Sequence, residues 1–196
     1  MIAITATELI AELEGAIKGG SPGRRAKILR QVTHLFLLTA NRLDASQTGV
    51  FADIFNRLIE RTEPAELVWL GAALSALKSA PREVIGLLAR HEEAAVAAPV
   101  LLKSKALSDS DLIEIATDRG QQHLLAISRR GEAVTDALLK RDDIAVCRAL
   151  ARNAGARFSE QGCSKLTAAA ERDGAIADAL VMRPHLPVRM LQTLNY

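Results

Sequence analysis

The stretch LARNAGARFSEQGCSKLTAAAE, residues 150–171, decides the fold of this 196-residue chain. It begins with an apolar residue, a small residue and an arginine, and it then meets the helix-stopping residues Asn153 and Gly155. A second helical pattern follows over residues 159–171, with Ser159 in the N-cap position. A helix of about ten residues is too short to be stable alone in water. The stretch therefore predicts a pair of short helices that is stable only when it packs against neighbours.

The same phrase recurs along the second half of the chain. An apolar residue, a small or flexible residue, an arginine and a helix stop stand at residues 88–91, 127–130, 150–153 and 181–184, with a looser copy at 102–104. Second short helices are predicted over residues 108–117, 132–140, 159–171 and 187–194. Short helices in a fixed order, joined by uneven linkers, are typical of a helical-repeat array. We therefore predict an all-α fold, an α-solenoid of HEAT-like helical pairs.

Longer helices are predicted in the N-terminal part of the chain. Their starts are marked by N-cap residues or prolines, at Thr5, Ser21, Asp44, Pro64 and Pro81. The helices become shorter from about residue 81. We predict a longer-helix N-terminal section, residues 1–80, and a helical-repeat section, residues 81–196, within one continuous α-helical domain.

Apolar residues recur at helical spacing, and no segment keeps the alternation of a strand. In the second to fifth predicted helices, the residues expected to face the core are Ile28, Leu29, Val32, Leu35, Phe36, Leu43, Phe51, Ile54, Phe55, Leu58, Ile59, Leu67, Leu70, Leu74, Leu77, Val84, Leu87 and Leu88. Pro99 falls inside a predicted helix and is expected to kink it, because proline removes a backbone hydrogen bond. Such a kink is compatible with a HEAT-type repeat.

Composition narrows the class of protein. Aromatic residues make up only 3% of the chain, which favours helix over strand. With 25 basic and 23 acidic residues, the net charge of +2 gives no overall signature of nucleic-acid binding. This balance does not exclude a local basic patch. The most apolar windows, residues 35–38 and 96–102, are too short to span a bilayer. The first residues lack the pattern of a signal peptide, and we expect a cytoplasmic protein.

No pattern of catalytic, cofactor-binding or metal-binding residues is found in the sequence. Two cysteines, Cys147 and Cys163, are expected to be small buried residues in a reducing compartment. The glycine-rich residues 19–23 lack the flanking sequence of a phosphate loop, and no nucleophile stands at a tight glycine turn. His34 is expected at the edge of the core. The four histidines are too far apart in sequence for a known metal motif: His34, His91, His123 and His185.

The recurring arginines are the most distinctive polar feature: Arg90, Arg129, Arg152 and Arg183. On an aligned stack they would form a ladder along one edge, able to bind phosphates or an acidic partner segment. In the structural alternative, each arginine would satisfy the last carbonyls of its own helix. It could also pair with the aspartate that opens the next unit, Asp118, Asp143 or Asp173.

A second basic cluster stands near the start of the second predicted helix, at Arg24, Arg25, Lys27 and Arg30. Positive charge in a first turn opposes the helix dipole, so this cluster brings no local stability. It is interpreted either as a solvated surface or as a patch for an acidic partner.

Several short sequence segments of the chain resemble segments of one known family. They are ILRQVTHLF at residues 28–36, VAAPVL at 96–101, LSDSDLI at 107–113, QHLLAISR at 122–129, VTDAL at 134–138 and LARNAGA at 150–156. In these phrases, over about residues 24–187, the chain resembles a bacterial family of uncharacterised proteins, the domain of unknown function numbered 2336. The resemblance implies a helical-repeat fold. It implies no activity, ligand or site residue.

Three functional hypotheses follow from the sequence. The first is a non-catalytic module or scaffold that binds another protein, because repeats are present and no catalytic pattern is found. The alternative is a nucleic-acid-binding HEAT-like protein whose arginines line a concave face, although the scarcity of aromatics argues against an enzyme acting on a flipped base. The third is a scaffold that associates with a second copy as a homodimer.

Overall fold

The computed structural model describes Gly15 and residues 19–140 and 142–183. These residues form eleven helices and no strand, so the predicted all-α class is confirmed for this part of the chain. The chain folds as two compact units, Met1–Leu107 and Ser108–Tyr196. The section boundary predicted after residue 80 stays a prediction. Apart from Gly15, the helix predicted before residue 18 lies outside the described residues, as do the helix predicted over residues 187–194 and His185.

Five helices form the described part of the first unit. They are α1 (Pro22–Thr39), α2 (Ala45–Ile59), α3 (Pro64–Ser75), α4 (Arg82–Ala89) and α5 (Ala94–Lys103). Helix α3 packs against both α1 and α5, and α2 packs against α4. Alternate helices are therefore neighbours, in addition to the sequential neighbours such as α4 and α5.

The helix starts of the first unit follow the sequence signals. Ser21 Oγ accepts a hydrogen bond from the backbone N–H of Arg24 at 3.4 Å, with Pro22 in the first helical position. Asp44 and Gln47 form a reciprocal capping box at the start of α2, with distances of 2.8 Å and 3.1 Å. Helix α3 begins at Pro64, as predicted.

The core of the first unit contains most of the predicted apolar residues. Phe36 and Phe55 are fully buried and meet edge to face, with ring centroids 5.8 Å apart. Two predictions are wrong: Leu35 is 41% exposed and Leu87 is 42% exposed. Ile85, which the prediction omitted, is buried instead of Leu87. On a helix the buried stripe covers only part of the circumference, so an apolar residue just beyond its edge faces solvent.

Helices α3 and α5 approach each other closely at Gly71. A Cβ added there would lie 3.3 Å from the carbonyl oxygen of Val96 and 3.8 Å from the Cβ of Pro99. Pro99 lies inside α5, as the sequence predicted. A small residue is therefore needed where the two backbones meet.

Six helices form the described part of the second unit. They are α6 (Asp109–Asp118), α7 (Gln121–Ser128), α8 (Glu132–Leu139), α9 (Ile144–Arg152), α10 (Glu160–Ala170) and α11 (Gly174–Val181). Helix α8 packs against α6 and α10, and α9 packs against α7 and α11. The helices of this unit thus form two rows, one of even-numbered and one of odd-numbered helices. No helix in the described ranges has the length and apolar character needed to cross a membrane.

Candidate functional site

A groove of about 330 Å³ lies in the second unit, between the end of α6, the start of α7 and helix α9. Three of its lining residues are arginines, Arg119, Arg148 and Arg152, whereas Asp143 is the single acidic residue among the described lining residues. The remaining lining residues are small, apolar or neutral polar: Ala116, Gly120, Gln121, Leu124, Ala145, Val146 and Ala149. The groove is therefore positively charged over a partly apolar surface.

Helix α9 supplies two of the arginines because they stand four residues apart. Arg148 and Arg152 consequently lie on one face of the helix. The opposite face carries Cys147, Leu150 and Ala151, which are buried. Burial of that apolar face fixes the rotation of α9 and so presents both arginines to the groove.

Asp143 starts helix α9. Its Oδ1 atom accepts hydrogen bonds from the backbone N–H groups of Ala145 and Val146, at 2.8 Å and 3.5 Å. This is N-cap geometry, and Asp143 opens a unit as the sequence predicted. The carboxylate of Asp143 therefore caps the N-terminal end of α9.

Arg148 is held by an ion pair with Asp173. Its Nη2 atom lies 2.6 Å from Asp173 Oδ2, and its Nε atom donates to the same oxygen at 2.7 Å. Asp173 also caps α11, because its Oδ1 atom accepts from the N–H of Ala175 at 3.0 Å. The hydrogen bond from Arg148 is the main reason that the pKa of Asp173 lies below its ordinary value. The pair thus links α9 to α11.

The other two groove arginines differ from Arg148. Neither Arg119 nor Arg152 forms an ion pair or a side-chain hydrogen bond with any residue in the described part of the chain. Arg152 is exposed and Arg119 is half-exposed. Their guanidinium groups are therefore available to an anionic ligand.

Arg183 has a different role from Arg152, although both belong to the predicted ladder. Its Nη1 atom donates to the carbonyl oxygens of Leu150, Ala151 and Asn153, at 3.2 Å, 3.1 Å and 2.6 Å. Its Nη2 atom donates to the Ala156 carbonyl at 2.7 Å. The guanidinium also lies over the Phe158 ring, 4.8 Å from its centroid. Arg183 therefore donates hydrogen bonds to carbonyl oxygens at the end of α9, whereas the structural alternative from the sequence placed these bonds at the end of its own helix.

Asn153 makes the corresponding contact at the end of α7. Its Nδ2 atom donates to the carbonyl oxygen of Leu125 at 3.2 Å and to the hydroxyl of Ser128. Arg129 lies nearby, since a Cβ added to Gly155 would be 2.9 Å from its Nε atom. The polar residues at successive helix ends thus connect odd-numbered helices of the second unit.

The remaining predicted basic residues belong to the first unit. Arg90 follows α4, with its Nη1 atom 3.5 Å from the position of a Cβ on Gly86. Arg30 forms a two-point ion pair with Glu66, at 2.8 Å and 3.1 Å, and lies over the Trp69 ring. A binding role for the ladder stays a prediction.

The side chains of the N-terminal basic cluster differ in their contacts. Arg25 Nη1 donates to the Gly20 carbonyl at 2.6 Å, so it helps to hold the chain before α1. Arg24 and Lys27 are exposed. A binding role for Arg24, Arg25, Lys27 and Arg30 also stays a prediction.

The sequence reasoning missed Arg119 and Arg148. A signal was present for Arg148, because it stands four residues before Arg152 within a short amphipathic helix. Arg119 carries no such signal, since its position in the groove depends on how α6 and α7 meet α9.

The cysteines and histidines form no second site in the described part of the chain. Cys147 and Cys163 are buried, as predicted, and burial is the main cause that raises the pKa of both thiols. No group of three or more His, Cys, Asp and Glu side chains is placed to hold a metal ion within the described ranges. His34 is exposed, so its predicted place at the core edge is wrong, whereas His123 is buried.

Comparison with known proteins identifies the family. No curated protein and no solved structure was found to match the chain. The family described as "Uncharacterised protein conserved in bacteria (DUF2336)" matches residues 96–195, which include every residue that lines the groove. The phrase quoted from residues 28–36 lies outside this match. The chain belongs to the DUF2336 family of bacterial proteins.

Proposed function

We propose that this protein is a non-catalytic protein–protein interaction module, and that the arginine-lined groove is its binding surface. One observation carries the proposal: Arg119 and Arg152 line the groove, and neither has an ion-pair partner among the described residues. Two arginines without an ion-pair partner in one groove favour an anionic partner surface, because complementary charge increases both the rate and the specificity of association.

The architecture that we propose for the module is an α-solenoid of HEAT-like helical pairs. Alternate helices pack together within each unit, as they do in stacked repeats. The contacts of Asn153 with α7 and of Arg183 with α9 also support this arrangement. In a helical repeat, such polar contacts fix the spacing between units and leave one face of a row free for a partner.

The chemistry of the groove favours binding over catalysis. Its carboxylate, Asp143, is engaged at the start of α9. The nearby thiol of Cys147 is buried, and its raised pKa disfavours the nucleophilic thiolate. We expect the module to act in the cytoplasm.

A comparison of variants in a bacterial lysate tests the proposal. The tagged protein is compared with the double variant Arg119→Ala/Arg152→Ala and with Arg157→Ala, which removes an exposed arginine that does not line the groove. We expect a protein recovered with the wild type and with Arg157→Ala but lost with the double variant. Direct titration of that purified partner must reproduce the order. Equal recovery with all three proteins would place the binding surface elsewhere.

Nucleic-acid binding is the second candidate, because the same three arginines could contact phosphates. Titration of labelled duplex DNA at low salt tests it. Binding that weakens steeply with salt and is lost in the double variant would favour this candidate. Association with a second copy is tested by light scattering over a range of concentrations.

A further inference from the structure

One of the three groove arginines, Arg148, already forms an ion pair with a carboxylate of the same chain, that of Asp173. We propose that the groove binds an acidic protein segment and that Asp173 competes with this segment for Arg148. This inference rests on the proposed function and names the chemistry of the partner.

The two carboxylate oxygens of Asp173 have different partners, which supports competition between Asp173 and a ligand for Arg148. Its Oδ1 atom accepts from the Ala175 N–H, which orients the carboxylate at the start of α11. Only Oδ2 contacts Arg148, through both Nε and Nη2. A single-oxygen contact leaves the two-point geometry of an arginine–carboxylate pair unused, in contrast to Arg30 and Glu66, which use both oxygens. A carboxylate of the ligand can supply that geometry.

Exposure makes the competition feasible. The Arg148 side chain keeps 48% of its surface accessible, whereas that of Asp173 keeps 9%. Arg148 can therefore contact a ligand while Asp173 stays fixed at the helix start. Water reaches the Arg148 end of the pair, which weakens the attraction there, so a ligand carboxylate can replace Asp173 on this guanidinium.

The lining of the groove favours an acidic protein segment over nucleic acid. Leu124 and Val146 also line the groove, so its surface is partly apolar, which suits a segment in which apolar side chains alternate with carboxylates. A duplex needs basic residues along an extended surface, because most of its affinity comes from many phosphate contacts. The three groove arginines instead line a volume of about 330 Å³, which is too small for many phosphate contacts.

The test measures binding of fluorescein-labelled oligoglutamate by fluorescence anisotropy at low salt, with oligoglutamine of equal length as the neutral probe. The informative variant is Asp173→Asn, because asparagine keeps the N-cap hydrogen bond but loses the charge that holds Arg148. Its matched control is Asp178→Asn, which makes the same charge change at an exposed position of α11 outside the groove. Circular dichroism checks that both variants are folded.

We expect Asp173→Asn to tighten oligoglutamate binding about threefold, as the release of one arginine implies. Asp178→Asn should change the affinity much less, and Arg152→Ala should weaken it. Equal affinities for Asp173→Asn and Asp178→Asn would overturn the competition. Equal binding of oligoglutamine and oligoglutamate would overturn the inference that the partner segment is acidic. The proposed function would still hold if recovery of a lysate partner depends on Arg119 and Arg152. Tighter binding of duplex DNA than of oligoglutamate would overturn the inference in favour of nucleic acid.

Discussion

Arg183 reaches from the end of α11 to the end of α9, where its Nη1 atom lies 2.6 Å from the carbonyl oxygen of Asn153. The last carbonyls of a helix have no partner within the helix itself. Arg183 supplies that partner for α9 from a residue 30 positions further along the chain. A contact of such sequence separation stabilises the packing of α9 on α11 as well as the helix end.

Replacing Arg183 by methionine should therefore destabilise the second unit. Loss of the hydrogen bonds to the four carbonyls should lower the free energy of unfolding by about 2 kcal/mol. Lysine should restore only part of it, because an ammonium group cannot reproduce the planar fork of the guanidinium. Urea unfolding followed by circular dichroism measures both values. Arg157→Ala is the control, and equal stability of Arg183→Met and this control would contradict the role given to Arg183.

The Arg148–Asp173 pair predicts a dependence of stability on pH. Because the pKa of Asp173 is lowered in the folded protein, the pair contributes stability above the ordinary aspartate pKa and loses it as the pH falls through the folded value. The stability difference between wild type and Asp173→Asn should be constant above about pH 5 and should shrink below about pH 4. Thermal unfolding across this range measures it. A difference that grows at low pH would contradict the assignment.

The close approach of α3 and α5 predicts a strong effect of side-chain size at Gly71. Gly71→Val should lower the free energy of unfolding by about 2 kcal/mol, because the new side chain must displace the backbone near Val96. Gly49 offers a matched control, since a Cβ there would have no neighbour within 4 Å. Gly49→Val should change stability by less than about 0.5 kcal/mol. Similar losses at both glycines would show that the helix contact is looser than described.

Asp142 has a φ of 52°, in the left-handed region that disfavours most side chains. Asp142→Gly should stabilise the protein by about 0.5 kcal/mol, and Asp142→Val should destabilise it by about 1 kcal/mol. Glycine has the opposite effect at Asp178, within α11, where it should destabilise the protein by about 0.3 kcal/mol. Differential scanning calorimetry of the three variants checks the order. Destabilisation by Asp142→Gly would mean that this backbone strain is absent.

The sequence predicted the helices well because the signals that start and stop them are local. The capping residues Ser21 and Asp44 and the prolines at 64 and 99 are found where the pattern placed them. Burial was predicted less well at Leu35 and Leu87, since the width of a buried stripe depends on the neighbouring helices. Local periodicity does not contain that information.

The candidate site could be predicted only in part. The recurrence of arginine identified Arg152 and Arg183 together, yet one lines the groove and the other satisfies carbonyls of α9. Likewise, one alternative paired Asp173 with an arginine of the ladder, whereas its partner is Arg148, which is not part of the ladder. These differences arise from contacts between helices that are more than 20 residues apart in sequence, which no local pattern encodes.

The most direct test of the central claim is to locate the ligand on the protein. Two-dimensional NMR spectra of the ¹⁵N-labelled protein are recorded during titration with oligoglutamate, and the backbone amide shifts are mapped on the chain. The account predicts that the largest shifts fall on groove residues such as Gln121, Leu124, Val146 and Ala149. Shifts centred on Arg24 and Lys27 in the first unit, or no shifts at saturating peptide, would contradict it.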